Sequence, residues 1–382
     1  MKNFAKIIGL LIFTFVFSGC AKKKTDILYD RKYIDQIKEV RNDAVNYLVM
    51  GNIPGGSFAI SKDGKMIYSE GIGFASKDLE VPVTRTTKFR IGSVSECFTA
   101  LMYQMMVEKG MLVPDSSVNF YFPEFPDKQF KLTLDHLAYQ TSGIRKPTVT
   151  ETDWRVIETG LQEGIGLFKN DSLLYPPGIF QDPSMFNYNL LGAVMEKTNG
   201  KTYTQLLKEF ITDTLHLTNT TLDNPLAVIK GRSDFYDLNF VAQLVNATFR
   251  DLRFRAPSEG LLSNAEDLVK LGNAMLDSPV ISESVRESVL EPATLPGERK
   301  TAISKGWIAM TDKFGRKFYG RAGGVTGGSA ALVVYPDEKL VLAATFNLTD
   351  KIGQFPIMEM AQKFLKTPEI NSASETQTKG NQ

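Results

Sequence analysis

The residues best able to do chemistry cluster in the stretch Phe89-Arg90-Ile91-Gly92-Ser93-Val94-Ser95-Glu96-Cys97-Phe98-Thr99-Ala100. Gly92-Ser93 reads as the entry to a helix, because Phe98, Leu101, Met105 and Met106 follow at helical spacing. A serine at a helix start, with its own N–H pointing at whatever it touches, suits an acyl-transfer nucleophile. Glu96 lies one turn on, on the same helix face. A carboxyl group of ordinary pKa, about 4, is a poor base for a serine hydroxyl unless burial raises it. The same four residues, Ser93-Val94-Ser95-Glu96, also read as a capping box, in which serine and glutamate satisfy each other's backbone N–H groups. Cap and nucleophile both stand on the sequence.

A second group is Arg321-Ala322-Gly323-Gly324. An arginine fork can hold a substrate carboxylate at two points, and the two glycines permit close backbone approach. Gly327-Gly328 follows with turn chemistry, so a glycine-rich hairpin is the alternative to a strand that lines a site. Two cysteines and two histidines are too few, and too badly spaced, for a zinc site, and no metal or cofactor is expected. His136, within Leu134-Asp135-His136-Leu137, and His216, between Leu215 and Leu217, read as packed structural residues rather than members of a catalytic triad. The formal net charge of +1 argues against a nucleic-acid partner.

These groups need elements to position them. Residues 1–19 read as a targeting segment, with Lys2 and Lys6 before the apolar run Ile7 to Phe17. It ends in Phe17-Ser18-Gly19-Cys20, which resembles a bacterial lipobox. The resemblance implies lipidation at Cys20 and a membrane-anchored protein of the cell envelope, periplasmic or on the outer face. Residues 20–31 read as a tether and 32–366 as the folded domain. Ile37, Val40, Ala44 and Leu48 predict a helix ending at Gly51, and Asp63-Gly64 predicts a hairpin between apolar runs. Gly110 to Pro126 reads as a loop, and Trp154 to Tyr175 as a partly helical insertion. Ser263 to Glu266 reads as a capping box before a helix. Strands are predicted over 307–310, 317–322, 330–335 and 340–346, then a closing helix from Ile357 and a disordered tail over 367–382.

The pattern resembles the serine β-lactamase and penicillin-binding-protein superfamily, in its class C and esterase-like branch. The residues carrying the likeness are Phe89 to Ala100, Gln140-Thr141-Ser142-Gly143, Pro177-Gly178 through Leu190-Leu191-Gly192, Gly260 to Asp267, and Arg321 to Gly324. The implied fold is α/β (α+β): an antiparallel sheet from 53–75 and 305–347, flanked by helices, with a helical region inserted over about 92–280. The implied roles are Ser93 as nucleophile, the Gly324 N–H in an oxyanion hole, and Arg321 with Gly323 in substrate binding. Four positions depart from the family's pattern. Glu96 stands where the motif has lysine. Pro183 and Met185 fall where it has tyrosine and asparagine, with Tyr188 matching a packing tyrosine instead. Gln140 replaces a histidine.

Scaffold and binding cation are therefore expected to survive without the proton-handling groups, with Glu96 and Arg321 paired across the cleft. Three functions follow from that. The first is a pseudoenzyme that binds cell-wall peptide or a partner's extended chain. The second is a serine hydrolase acting with an altered base on a small acyl substrate: an ester, an amide or a D-peptide. The third is a structural envelope lipoprotein whose cleft is closed by Phe180, Met185 or Phe186.

Overall fold

The computed structural model describes residues 26–152, 160–349 and 351–365. The targeting segment, Cys20, Trp154 and the tail over 367–382 lie outside the described residues. The strands that matter are β1 (Ile27–Tyr29), β2 (Gly55–Lys62), β3 (Lys65–Ser76), β4 (Phe89–Arg90), β5 (Leu261–Ser263), β6 (Ile308–Thr311), β7 (Lys317–Val325), β8 (Gly328–Tyr335) and β9 (Leu340–Phe346). The main sheet has the order β1-β3-β2-β9-β8-β7-β6, and each of these pairings is antiparallel. It is thus assembled from the two ends of the chain, as the sequence predicts. Asp63 and Gly64 join β2 to β3 with φ of 52° and 74°, the twist that a two-residue hairpin needs. Residues 27–29, placed in the tether by sequence, instead form the edge strand β1, with Ile27 opposite Glu70.

The principal helices are α1 (Ile34–Met50), α2 (Ser95–Glu108), α3 (Met185–Asn199), α4 (Ala265–Leu276) and α5 (Ile357–Gln362). β8 is buried along its whole length, because helices cover both faces of the sheet. Its even-numbered residues Ala330, Leu332 and Val334 join a core shared with α2, α3 and α4. Its odd-numbered residues Ala331, Val333 and Tyr335 join a second core with Ile37, Val40, Ala44 and Leu48 of α1 and Met360 of α5. Every residue of α2 from Ser95 to Met106 is buried, so this helix is the axis of the inserted region.

Three local expectations change. No capping box forms at Ser93. A 3-10 turn over Gly92–Val94 delays α2 to Ser95, and its cap residue Val94 makes no side-chain bond. The cap of α4 is Asn264 rather than Ser263, its side chain accepting from the Asp267 N–H at 2.9 Å. Ser263 belongs to β5, and its hydroxyl meets that of Thr220. The loop from Gly110 contains one helical turn, Val118–Tyr121. Among the described residues no helix is long and apolar enough to cross a membrane.

Candidate functional site

The site is built by laying β7 across the start of α2. Gly92 has φ of +51°, and a Cβ there would come within 2.8 Å of the Gly324 nitrogen. A Cβ on Gly323 would lie 2.4 Å from the Ser93 nitrogen, well inside any real contact. Glycine is required on both sides for two backbones to meet this closely. The contact brings Ser93, which is half-buried, to the strand that carries Arg321 and Gly323.

Arg321 then reaches the first turn of α2. Its Nη2 donates to Glu96 Oε2 at 2.5 Å, and its Nε donates to the Ser93 carbonyl at 3.3 Å. The Glu96 side chain is buried and that of Arg321 nearly so, at 5% and 10% exposure, so the expected pair forms largely out of water. The capping box is lost for the same reason. A carboxylate that can reach a buried guanidinium gains more there than at a neutral backbone N–H. Burial pushes the Glu96 carboxyl up to about 7, against the pull of the Arg321 guanidinium and the Gln140 amide. Burial is the largest single influence on Arg321 and acts to lower its pKa, but the charge and hydrogen bond of Glu96, together with the neighbouring Cys97 and Tyr188, hold the guanidinium above its ordinary value.

Gln140 completes the cluster from the opposite wall. Its backbone sits at φ of 60°, a left-handed conformation uncommon for a residue with a side chain. Its Oε1 accepts from the Ser184 N–H at 3.0 Å and the Asn187 amide at 2.5 Å, which leaves Nε2 to donate to Glu96 at 3.4 Å. The neutral amide thus ties α3 and the loop before it to the charged pair.

The tyrosine and asparagine positions of the second motif offer no proton. Pro183 is exposed, and the Met185 sulfur lies 3.8 Å from Arg255 Nη1. Tyr188 is wholly buried and donates to the Ala138 carbonyl at 3.0 Å, a packing role as expected. Nor do aromatic rings plug the cleft. Phe186 stacks on Phe168 at 4.2 Å, and Phe180 is 54% exposed. The Glu96–Arg321 pair and Gln140 meet at the first turn of α2 instead. His136 caps its own helical turn by accepting from the Thr133 N–H. Cys97 is buried and its thiol pushed far up, which leaves it inert as a nucleophile.

Sequence reasoning missed two features of this neighbourhood. Arg90 and Asp223 form an ion pair at 2.6 Å with almost no exposure, 133 residues apart in the chain. Arg255, equally buried, lies 3.7 Å from Glu259. An arginine three residues before the candidate nucleophile was the only sequence signal for the first pair, and it names no partner.

Comparison with known proteins bears on the family and the fold. The beta-lactamase family signature matches residues 31–364. The human mitochondrial serine beta-lactamase-like protein LACTB is 27% identical, over 75% of this chain and 69% of its own length. In fold, FmtA from Staphylococcus aureus superposes with a TM-score of 0.74 at 20% identity, covering 89% of this chain and 88% of FmtA. A class C beta-lactamase gives 0.73 at 19% identity, covering 90% of this chain and 99% of that one. The signature runs from the first turn before α1 to the residues after α5 and takes in both faces of the sheet, so the chain belongs to the beta-lactamase family.

Proposed function

We propose that this protein is a lipid-anchored envelope member of the family whose cleft has become a binding site and whose hydrolytic chemistry is impaired. The observation that carries the reading is the buried Glu96–Arg321 pair. It puts a carboxylate, already engaged by a guanidinium and an amide, where the family's motif has a proton-accepting amine. Pro183 removes the second proton-handling group. Losing general-base help costs about 10²–10⁴-fold in rate, and a whole acting unit costs more. Ser93 and the backbone that could form an oxyanion hole with Gly324 remain, a shape suited to holding a cell-wall peptide or an acyl group without turning it over.

One observation favours the alternative, an active serine hydrolase. A carboxyl raised to about 7 lies in the range of a general base. Intact mass after incubation with a penicillin and with a fluorophosphonate decides between them. The binding reading expects no adduct on the wild type, and an adduct on Glu96→Lys/Arg321→Gln, which restores an amine without burying two cations together. A wild-type adduct that disappears in Ser93→Ala would establish a live nucleophile and overturn it.

A further inference from the structure

Arg90, three residues before Ser93, leads out of the cleft into the wall of a separate pocket of about 520 Å³. Ser93, Glu96 and Arg321 do not line it. Its walls come from the segment around Pro225, the strand-turn-strand between Tyr236 and Asn246 with its flanks, and Asp78 at the end of β3.

Three guanidinium groups, those of Arg90, Arg232 and Arg250, enter the lining. Arg90 and Arg232 share one buried carboxylate: Asp223 accepts from Arg90 Nε at 2.6 Å and from Arg232 Nη1 at 3.4 Å. The pocket's own acids, Asp78 and Asp234, are exposed to solvent, which screens them, while Arg90 and Arg250 are buried. Arg90 and Arg232 therefore set two guanidinium charges against the single Asp223 carboxylate. Arg90 cannot move, since its other nitrogens donate to the carbonyls of Thr326 and Arg250 and its guanidinium lies 3.9 Å above the Phe235 ring. Arg232 is half-buried, beside the same ring, and its contact to Asp223 is long.

A second and independent sign is Ser233. It lines the pocket at 3% exposure, and its hydroxyl has no hydrogen-bond partner among the described residues. Buried hydroxyls are almost always paired, and an unpaired one costs free energy until a partner arrives. We propose that this pocket binds a small anionic ligand through a carboxylate or phosphate group. Arg232 presents its fork to the anion, Arg90 supplies a fixed field behind it, and Ser233 contributes its hydroxyl. Phe235 and Phe249 cover the ligand's apolar part. A Cβ on Gly327 would meet Phe235 at 2.4 Å, so the pocket wall is packed against the turn that ends β7. The assignment holds whether or not Ser93 is catalytic.

Calorimetric titration of the full-length protein with inorganic phosphate and with succinate, at matched ionic strength, tests it. The two arms separate phosphate from carboxylate recognition. At least one probe is expected to bind saturably. Arg232→Gln should weaken that binding by about tenfold or more, since a charge-assisted fork is lost. Arg232→Lys, which keeps the charge and loses the fork, should also weaken it. Ser233→Ala should weaken it by a smaller factor, while Arg321→Gln, in the cleft, should leave it unchanged. No saturable binding of either probe would overturn the proposal. So would binding that survives both Arg232 variants, or binding that only Arg321→Gln removes.

Discussion

Glu96 is asked to do two incompatible things. Its position in the first turn of α2 favours a negative charge, and Arg321 favours it further, yet burial resists it. Burial wins, so the folded carboxyl titrates near 7 against 4.5 for a free one. The consequence for stability has a definite sign. The folded state holds this proton more tightly than the unfolded state, so the contribution is fully present below about 4.5 and is lost as pH rises through about 7. Its size is at most about 3 kcal/mol. Glu96→Gln keeps the shape and the hydrogen bond but cannot ionise. The melting temperature of the variant minus that of the wild type should therefore climb between pH 5 and pH 8. Parallel melting curves across that window would show that Glu96 titrates as an ordinary surface carboxyl. The same balance explains why the pair is better regarded as a device for fixing geometry than as a source of stability.

At the level of elements, the site depends on one crossing, that of β7 over the 3-10 turn at Gly92. Gly92 and Gly64 have similar backbones, with φ of +51° and +74°, but opposite surroundings. A Cβ at Gly92 would collide with the backbone of Gly323 and Gly324, whereas Gly64 has nothing within 4 Å. Gly64→Ala should cost about 1–2 kcal/mol, the conformational penalty alone. Gly92→Ala should cost clearly more, because β7 must also retreat, and the two are compared directly by urea denaturation. Equal losses would mean that the crossing is loose. The sequence made this crossing half visible. Gly92-Ser93 and Gly323-Gly324 were both legible as places of close backbone approach, and Asp63-Gly64 as a turn, because glycine chemistry is local. The start of α2 was misplaced because Ser-x-x-Glu satisfies a capping rule in isolation. The rule fails when a distant arginine competes for the glutamate. Gln140 was noticed only as a replaced histidine, since nothing local reveals that its amide is oriented by Asn187. The segment from Arg232 to Arg255 carries no comparable local signal, because Arg90, Asp223 and Phe235 meet there only in three dimensions.

Across the whole molecule, one sheet serves two cores. Successive residues of β8 and β9 alternate between them, so neither core can dissolve without exposing the strands that build the other. This predicts a single cooperative unfolding unit rather than a separable helical region, even though the sheet comes from the chain's ends and the helices from its middle. Met360, on α5, is buried in one core, and Trp307 is buried in the other. Met360→Ala should cost about 2–5 kcal/mol by leaving a cavity. If the sheet couples the layers, that loss must appear in full at Trp307, followed by its fluorescence in a Trp154→Phe background. The fluorescence transition and the far-UV circular dichroism should then shift together to the same lower denaturant midpoint. A Trp307 transition that stays at its original midpoint while the dichroism splits would show that the layers unfold separately. The cleft at α2 would then rest on the helical region alone.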